Sequence, residues 1–269
     1  MDTVLGFVPA LFKRFNMAMG TALAILVFVG QSNANSSGTG IDAMLDAPDP
    51  NVFEWRNQNN IVAQEPLLLG GATEIGFGLR MAKRYSKHYE SPVLIVQAAV
   101  GNTGFTGNFW GANEYGWIRA VDFVNAAVAA NPGAQVKAIS WIQGETDAIA
   151  QTSEATYQSA LVSSLSAMRN SMATASNAPI LIGEMVPSWY ENNVDARAIR
   201  IATNKAIGII PNAYSVSSRV PTVLVAQSDT IHYSAASMRI LGDRFFERLR
   251  IVLENQANPA RKQCIGAFG

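Results

Sequence analysis

Short apolar runs alternate along this chain with longer amphipathic stretches. Ala22–Val29, Pro92–Val100 (PVLIVQAAV), Val136–Gln143 (VKAISWIQ) and Pro179–Val186 (PILIGEMV) are apolar almost throughout. Runs of this length and continuity predict strands covered on both faces. Val52–Trp55 is a weaker strand candidate. Between the runs the spacing changes to three and four. Glu74–Tyr89 places Ile75, Leu79 and Ala82 on one face, and Trp117–Ala130, Glu154–Met172 and Val194–Ile209 behave alike. Ser234–Leu253 is the clearest helix, with Met238, Leu241, Phe245, Leu249 and Val252 forming its apolar stripe. Strand then helix, repeated, predicts an α/β domain with a parallel sheet between layers of helices. No internal repeat and no boundary interrupts the pattern, so residues 21–255 read as one domain. Residues 1–20 read as an N-terminal extension or linker, and 256–269 as a tail.

Composition narrows the functional classes. The chain has 269 residues, enough for one large domain with a substantial core. Lys plus Arg is 20 and Asp plus Glu is 20, so nothing in the charge points to nucleic acid or an acidic membrane surface. One cysteine, Cys264, and two histidines, His88 and His232, leave no intrachain disulfide and argue against a histidine-built zinc site. No metal and no cofactor is expected. Lys13 and Arg14 before Met17–Val29 look like the start of a signal peptide. Cleavage near Ala34 would remove Gly30, Gln31 and Ser32, so the run is read as a buried strand. It is also too short to span a bilayer, and no membrane insertion is expected.

In a doubly wound sheet, ligands bind beyond the carboxyl ends of the strands. The segments there are Gly30-Gln31-Ser32-Asn33, Gly101-Asn102-Thr103-Gly104 and Gln143-Gly144-Glu145-Thr146-Asp147, with Asp229-Thr230-Ile231-His232 just before the last helix. Ester hydrolysis needs an activated nucleophile, a base beside it and donors for the oxyanion. Ser32 is the candidate nucleophile and His232 the base, since His88 lies in a charged helix end. Asp229, three residues before His232, can turn back onto the imidazole. The Ser32 and Gly101 amides and the Gln143 side chain are candidate oxyanion donors. Each residue alone has an ordinary reading: a cap, a turn glycine, a buried amide. Their conjunction at strand ends is what points to chemistry.

GQSNA (Gly30–Ala34), AAVGNTGF around Gly101, QGETDA (Gln143–Ala148) and DTIHYSAAS (Asp229–Ser237) together resemble the SGNH hydrolase superfamily. Within it they resemble the sialate O-acetylesterase and carbohydrate esterase family 6 branch, as does PDPNVFEW (Pro48–Trp55). The resemblance spans residues 23–254. It implies a flavodoxin-like three-layer α/β/α sandwich with a parallel sheet of about five strands. It implies deacetylation of a glycan, with Ser32, His232 and Asp229 as catalytic residues and Ser32, Gly101 and Gln143 around the oxyanion. A glycan partner suggests an extracellular, surface or phage-tail setting. Two positions depart from the superfamily pattern: Ile142 stands where a histidine often precedes the glutamine, and Asn102 where a second glycine is common. Glu145 is a rival acid for His232, with Asp229 favoured for being local.

Gln31, Asn102, Phe105 and Trp110 are the expected substrate contacts. Phe105, Phe109, Trp110, Tyr115 and Trp117, with Trp189 and Tyr190 further on, suit either sugar stacking or core packing. An α/β-hydrolase is disfavoured because GQSNA lacks the final glycine of G-x-S-x-G. A carbohydrate-binding or tail-fibre module without turnover would lack a catalytic residue, and all are present. A general short-chain carboxylesterase remains the alternative activity.

Overall fold

The computed structural model describes residues 22–258. In chain order the strands are β1 (Ala24–Gly30), β2 (Ser36–Thr39), β3 (Val52–Arg56), β4 (Asn59–Val62), β5 (Glu74–Gly76), β6 (Val93–Gln97), β7 (Gln135–Ile142), β8 (Ile180–Gly183) and β9 (Ala213–Val216). The helices are α1 (Gly78–Tyr89), α2 (Tyr115–Ala130), α3 (Glu145–Ile149), α4 (Glu154–Ser171), α5 (Pro187–Asn192), α6 (Val194–Ile207) and α7 (Ala235–Ala257). The main sheet runs β4-β3-β6-β1-β7-β8-β9. All its neighbours are parallel except β4, which returns antiparallel along β3.

Alternation along β1 shows why the run had to be apolar throughout. Ile25, Val27 and Val29 enter one core with residues of α2, α4 and α6. Ala24, Leu26 and Phe28 enter a second core with residues of α1 and α7. Every side chain of the strand is buried, one face to each helix layer. On the second face Phe77 stacks on Phe245 at 4.4 Å and meets Phe28 edge-on at 5.3 Å, joining α7 to the centre of the sheet. Local signals start the helices: the side chains of Ser153, Asn193 and Ser234 accept from the backbone amides of Thr156, Ala196 and Ser237.

The architecture is the expected three-layer sandwich, but the main sheet has seven strands rather than about five. The two that the pattern did not announce are edge strands. Asn59–Val62 is exposed along its length, and Ala213–Val216 is mostly half-buried, so neither carries a continuous apolar run. The helix expected from Glu74 begins at Gly78. Glu74–Gly76 instead pairs with β2 as a separate antiparallel ribbon. A side chain at Gly76 would come within 2.4 Å of the Asn35 carbonyl oxygen, so the close crossing there requires glycine. The expectations for residues 1–20 and for Cys264 lie outside the described residues, and α7 runs past Leu253 to Ala257. No described helix is long and apolar enough to cross a membrane.

Beneath the ribbon lies Glu65. Its carboxylate accepts from the Gly76 amide, the Leu67 amide and the Ser36 hydroxyl. Burial raises its pKa from an ordinary 4.5 to about 7, against those three bonds. An unfolded carboxyl loses its proton at lower pH than this one, so the stabilisation is full below about 4.5 and is lost as pH rises through about 7. The span corresponds to about 3 kcal/mol. Glu65→Gln should therefore flatten the fall in melting temperature between pH 5 and pH 8. A variant with the parent's slope would assign the pH dependence to other groups.

Candidate active site

β1 sits between β6 and β7: the chain leaves the carboxyl end of β1 toward the β3 and β6 side, and after β6 it crosses to β7 on the other side. That is where a doubly wound sheet opens a crevice. The backbone turns sharply there. Gly30 has φ +120°, and a Cβ on it would lie 2.0 Å from the Ile142 carbonyl oxygen. Only glycine permits the turn, after which the Gln31 amide donates to Ile142 at 2.9 Å. A single 3₁₀ turn, Ser32–Ala34, then lifts the Ser32 hydroxyl out of the sheet. From β6, the Val100 amide donates to the Gly30 carbonyl and brings Gly101 alongside, 3.8 Å from Ser32 Cβ at the position a side chain would take. Neither the Ser32 nor the Gly101 amide is spent on a backbone carbonyl among the described residues.

The loop after β9 carries the histidine. His232 Nε2 lies 2.8 Å from Ser32 Oγ, and Nδ1 lies 2.7 Å from Asp229 Oδ2. With Nδ1–H donating to the carboxylate, Nε2 is left as the acceptor for the serine hydroxyl. Asp229 also accepts from the Gln227 side chain and from the Ile231 and His232 amides. Burial works to raise its pKa, but these bonds together with the imidazole's hold it far below the usual carboxylate range. The group that faces His232 is therefore ionised across the whole neutral range.

The third strand end is polar and buried. Gln143 donates its amide hydrogens toward Asp147 Oδ2 at 2.6 Å, Gln31 Oε1 at 3.2 Å and the Thr103 carbonyl at 3.3 Å, while Oε1 accepts from the Tyr157 hydroxyl. Asp147 also accepts from the Phe105 and Thr106 amides and the Thr106 hydroxyl, holding the loop after β6. Gln31 is buried, and its carbonyl oxygen accepts from the Gly144 and Thr146 amides. Glu145 is wholly buried, and burial raises its pKa. It accepts from Asn33 Nδ2 at 2.6 Å and makes no bond or ion pair to the imidazole.

So Ser32, His232, Asp229 and Gly101 come together, and Asn102 stands exposed beside them with φ 58°. Glu145 and Gln143 stand just below, engaged with other protein groups. Two expected substrate contacts are interior residues. Gln31 is buried with its Oε1 taken by the Gly144 and Thr146 amides and the Gln143 side chain. Trp110 is fully buried, stacked edge-on against Trp141, with its indole N–H donated to Thr103. Phe105 is half-buried between Trp141 and Tyr157. Asn33 and Asp147 are the organising residues that sequence reasoning missed. Their only signal was position, a polar residue three or five places beyond a strand's carboxyl end.

Residues 22–250 match the family described as carbohydrate esterase, sialic acid-specific acetylesterase. The chain belongs to this family. No curated protein matches it. Among solved structures, NanS superposes with a TM-score of 0.74 at 20% identity, covering 88% of this chain and all of that one. A protein of Arabidopsis thaliana gives 0.72 at 19% identity, over 87% and 99% of the two chains. A carbohydrate acetylesterase from Xanthomonas citri gives 0.56 at 14% identity, over 86% of this chain and 56% of that one. At these identities the likeness establishes a shared fold.

The esterase's site is shallow. Ser32 is half-buried, Gly101 and Asn102 are exposed, and the side chains of His232 and Asp229 keep 27% and 40% of their accessible surface. Asp229→Asn should favour the wrong imidazole tautomer and lower kcat by ~10⁴-fold, as an analogous substitution does in serine proteases. Glu145→Gln, which keeps the acceptor for Asn33, should lose far less. Steady-state rates of both variants at pH 8 decide the matter, and the reverse order of losses would transfer the orienting role to Glu145.

Proposed function

We propose that this carbohydrate esterase removes O-acetyl groups from a glycan, with sialic acid as the first sugar to test, through Ser32, His232 and Asp229. The observation that carries the reading is the pair of short contacts through one imidazole, 2.8 Å from Ser32 Oγ to Nε2 and 2.7 Å from Nδ1 to Asp229. His232 Nε2 takes the hydroxyl proton as Oγ attacks the acetyl carbonyl carbon. The negative charge that develops on the carbonyl oxygen meets the unspent Ser32 and Gly101 amides. With the Gln143 hydrogens on Asp147 and Gln31, Gln143 contributes by holding those loops. The imidazolium, stabilised by Asp229, returns the proton to the departing sugar oxygen. A water molecule, deprotonated by the same nitrogen, then attacks the acetyl-serine, releasing acetate and restoring the hydroxyl.

The family's description supports the sugar, and the structural likeness to a carbohydrate acetylesterase of Xanthomonas citri supports acetyl as the acyl group. The shallow site fits both, since a small acyl group needs no deep pocket and a glycan needs room at the mouth.

Acetate released from O-acetylated sialic acid, acetylated xylan and p-nitrophenyl acetate tests the reading. The sialic ester should be hydrolysed with the highest kcat/KM, and Ser32→Ala should lower every rate by ~10⁴-fold or more with the fold intact. Equal hydrolysis of all three esters would reduce the activity to a general short-chain carboxylesterase. Undiminished turnover by Ser32→Ala would remove the nucleophile from the scheme.

A further inference from the structure

His232 rides on a loop that runs from β9 to α7, with residues 228–230 at its exposed tip. Its ring must meet Ser32 across 200 residues of sequence separation. The side chain next to the nucleophile makes the join. Asn33 is fully buried. Its Nδ2 donates to the Ile231 carbonyl at 3.0 Å and to Glu145 Oε1 at 2.6 Å. Its Oδ1 accepts from the Tyr233 amide at 3.1 Å and from the Ser37 hydroxyl at 3.4 Å. The two peptide groups it binds flank His232 on either side.

A carboxamide has two donor hydrogens and two acceptor lone pairs, and here all four are used. No other side chain of this length could satisfy the same four partners. Asp would face Glu145 and the Ile231 carbonyl with acceptors only, and Leu would take the partner from all four groups, the Glu145 carboxylate, the Ile231 carbonyl, the Tyr233 amide and the Ser37 hydroxyl. Glu145, in turn, is placed by the first turn of α3 and is the brace against which the amide rests. Ser32 and Asn33 share one 3₁₀ turn, so whatever displaces Asn33 displaces nucleophile and base relative to each other.

We propose that Asn33 is a positioning residue that sets where His232 meets Ser32, by binding the peptide groups on both sides of that histidine, with buried Glu145 as its brace. The inference rests on the reading of His232 as the base. It extends that reading by assigning Asn33 and Glu145 a role exerted through the histidine loop, without contact to substrate.

The test compares Asn33→Ala, Asn33→Asp, the pair Asn33→Asp with Glu145→Gln, and His232→Gln, on p-nitrophenyl acetate. A displacement of about 1 Å at the reacting groups lowers rates by ~10²-fold, so Asn33→Ala and Asn33→Asp should lose that much in kcat with KM nearly unchanged. In the paired variant the new amide at 145 can donate to the new carboxylate at 33, and part of kcat should return. The chain has two histidines, so proton NMR of the His88→Gln background isolates the His232 Nδ1–H, which should broaden in both single variants. A structural role alone would lower the melting temperature and leave both kcat and that resonance in place. Should Asn33→Ala fail to fold, Asn33→Asp carries the comparison, because it keeps the volume and the acceptor for Tyr233. Parent-like kcat in the Asn33 variants beside an inactive His232→Gln would overturn this inference alone. An active His232→Gln would overturn the base assignment and the inference together.

Discussion

Three strand ends converge beneath Ser32, and the polar groups that they bury have no solvent to turn to. Their mutual hydrogen bonding is the constraint on which the site depends. Gln31 receives the amides that open α3, Gln143 and Asp147 hold the loop after β6, and Glu145 receives Asn33. A buried polar group left unpaired costs about 1–3 kcal/mol, so each of these partners is held where it is by the others. The network lies one layer below the reacting atoms. It gives them rigid places to stand while making no bond of its own to the Ser32 hydroxyl, the His232 ring or the Ser32 and Gly101 amides.

The pair at the surface is built differently from the layer below. Asp229 and His232 form a short-range unit, four residues closed by two backbone amides on one carboxylate oxygen. Such a unit can form with little chain entropy because its members are adjacent. Its distance from Ser32 is a separate problem, solved by tertiary bonds from the buried layer. Orientation of the imidazole is thus local, and its placement is not.

That division also explains what could be read from the amino-acid sequence. Strands covered on both faces announce themselves by continuous apolar runs, and β1, β6, β7 and β8 were all legible. Strands at the sheet's edge carry no such run, and β4 and β9 were not. Ser32, Gly101 and His232 were legible because a strand end followed by glycine, or an acid three residues before a histidine, is a local pattern. Whether Gln31, Asn33 and Asp147 turn inward or outward depends on chain segments far away, and no local pattern states it. Trp110 misled for the same reason. An aromatic in a loop rich in glycine and asparagine suggests a binding surface, but this loop folds back so that the indole finds Thr103 inside the protein.

The 200-residue gap closed by the bond between Ser32 and His232 has a consequence for the life of the chain. Nothing local to β1 can place an imidazole beside Ser32, and the loop that carries His232 runs into α7, which packs against α1 on the far face of the sheet from α2, α4 and α6. With the final helix undocked, Ser32 would lack the 2.8 Å contact to His232 Nε2. Bringing His232 to Ser32 therefore requires the last helix to be docked, so the two halves of the contact cannot be separated from the closing of the second core.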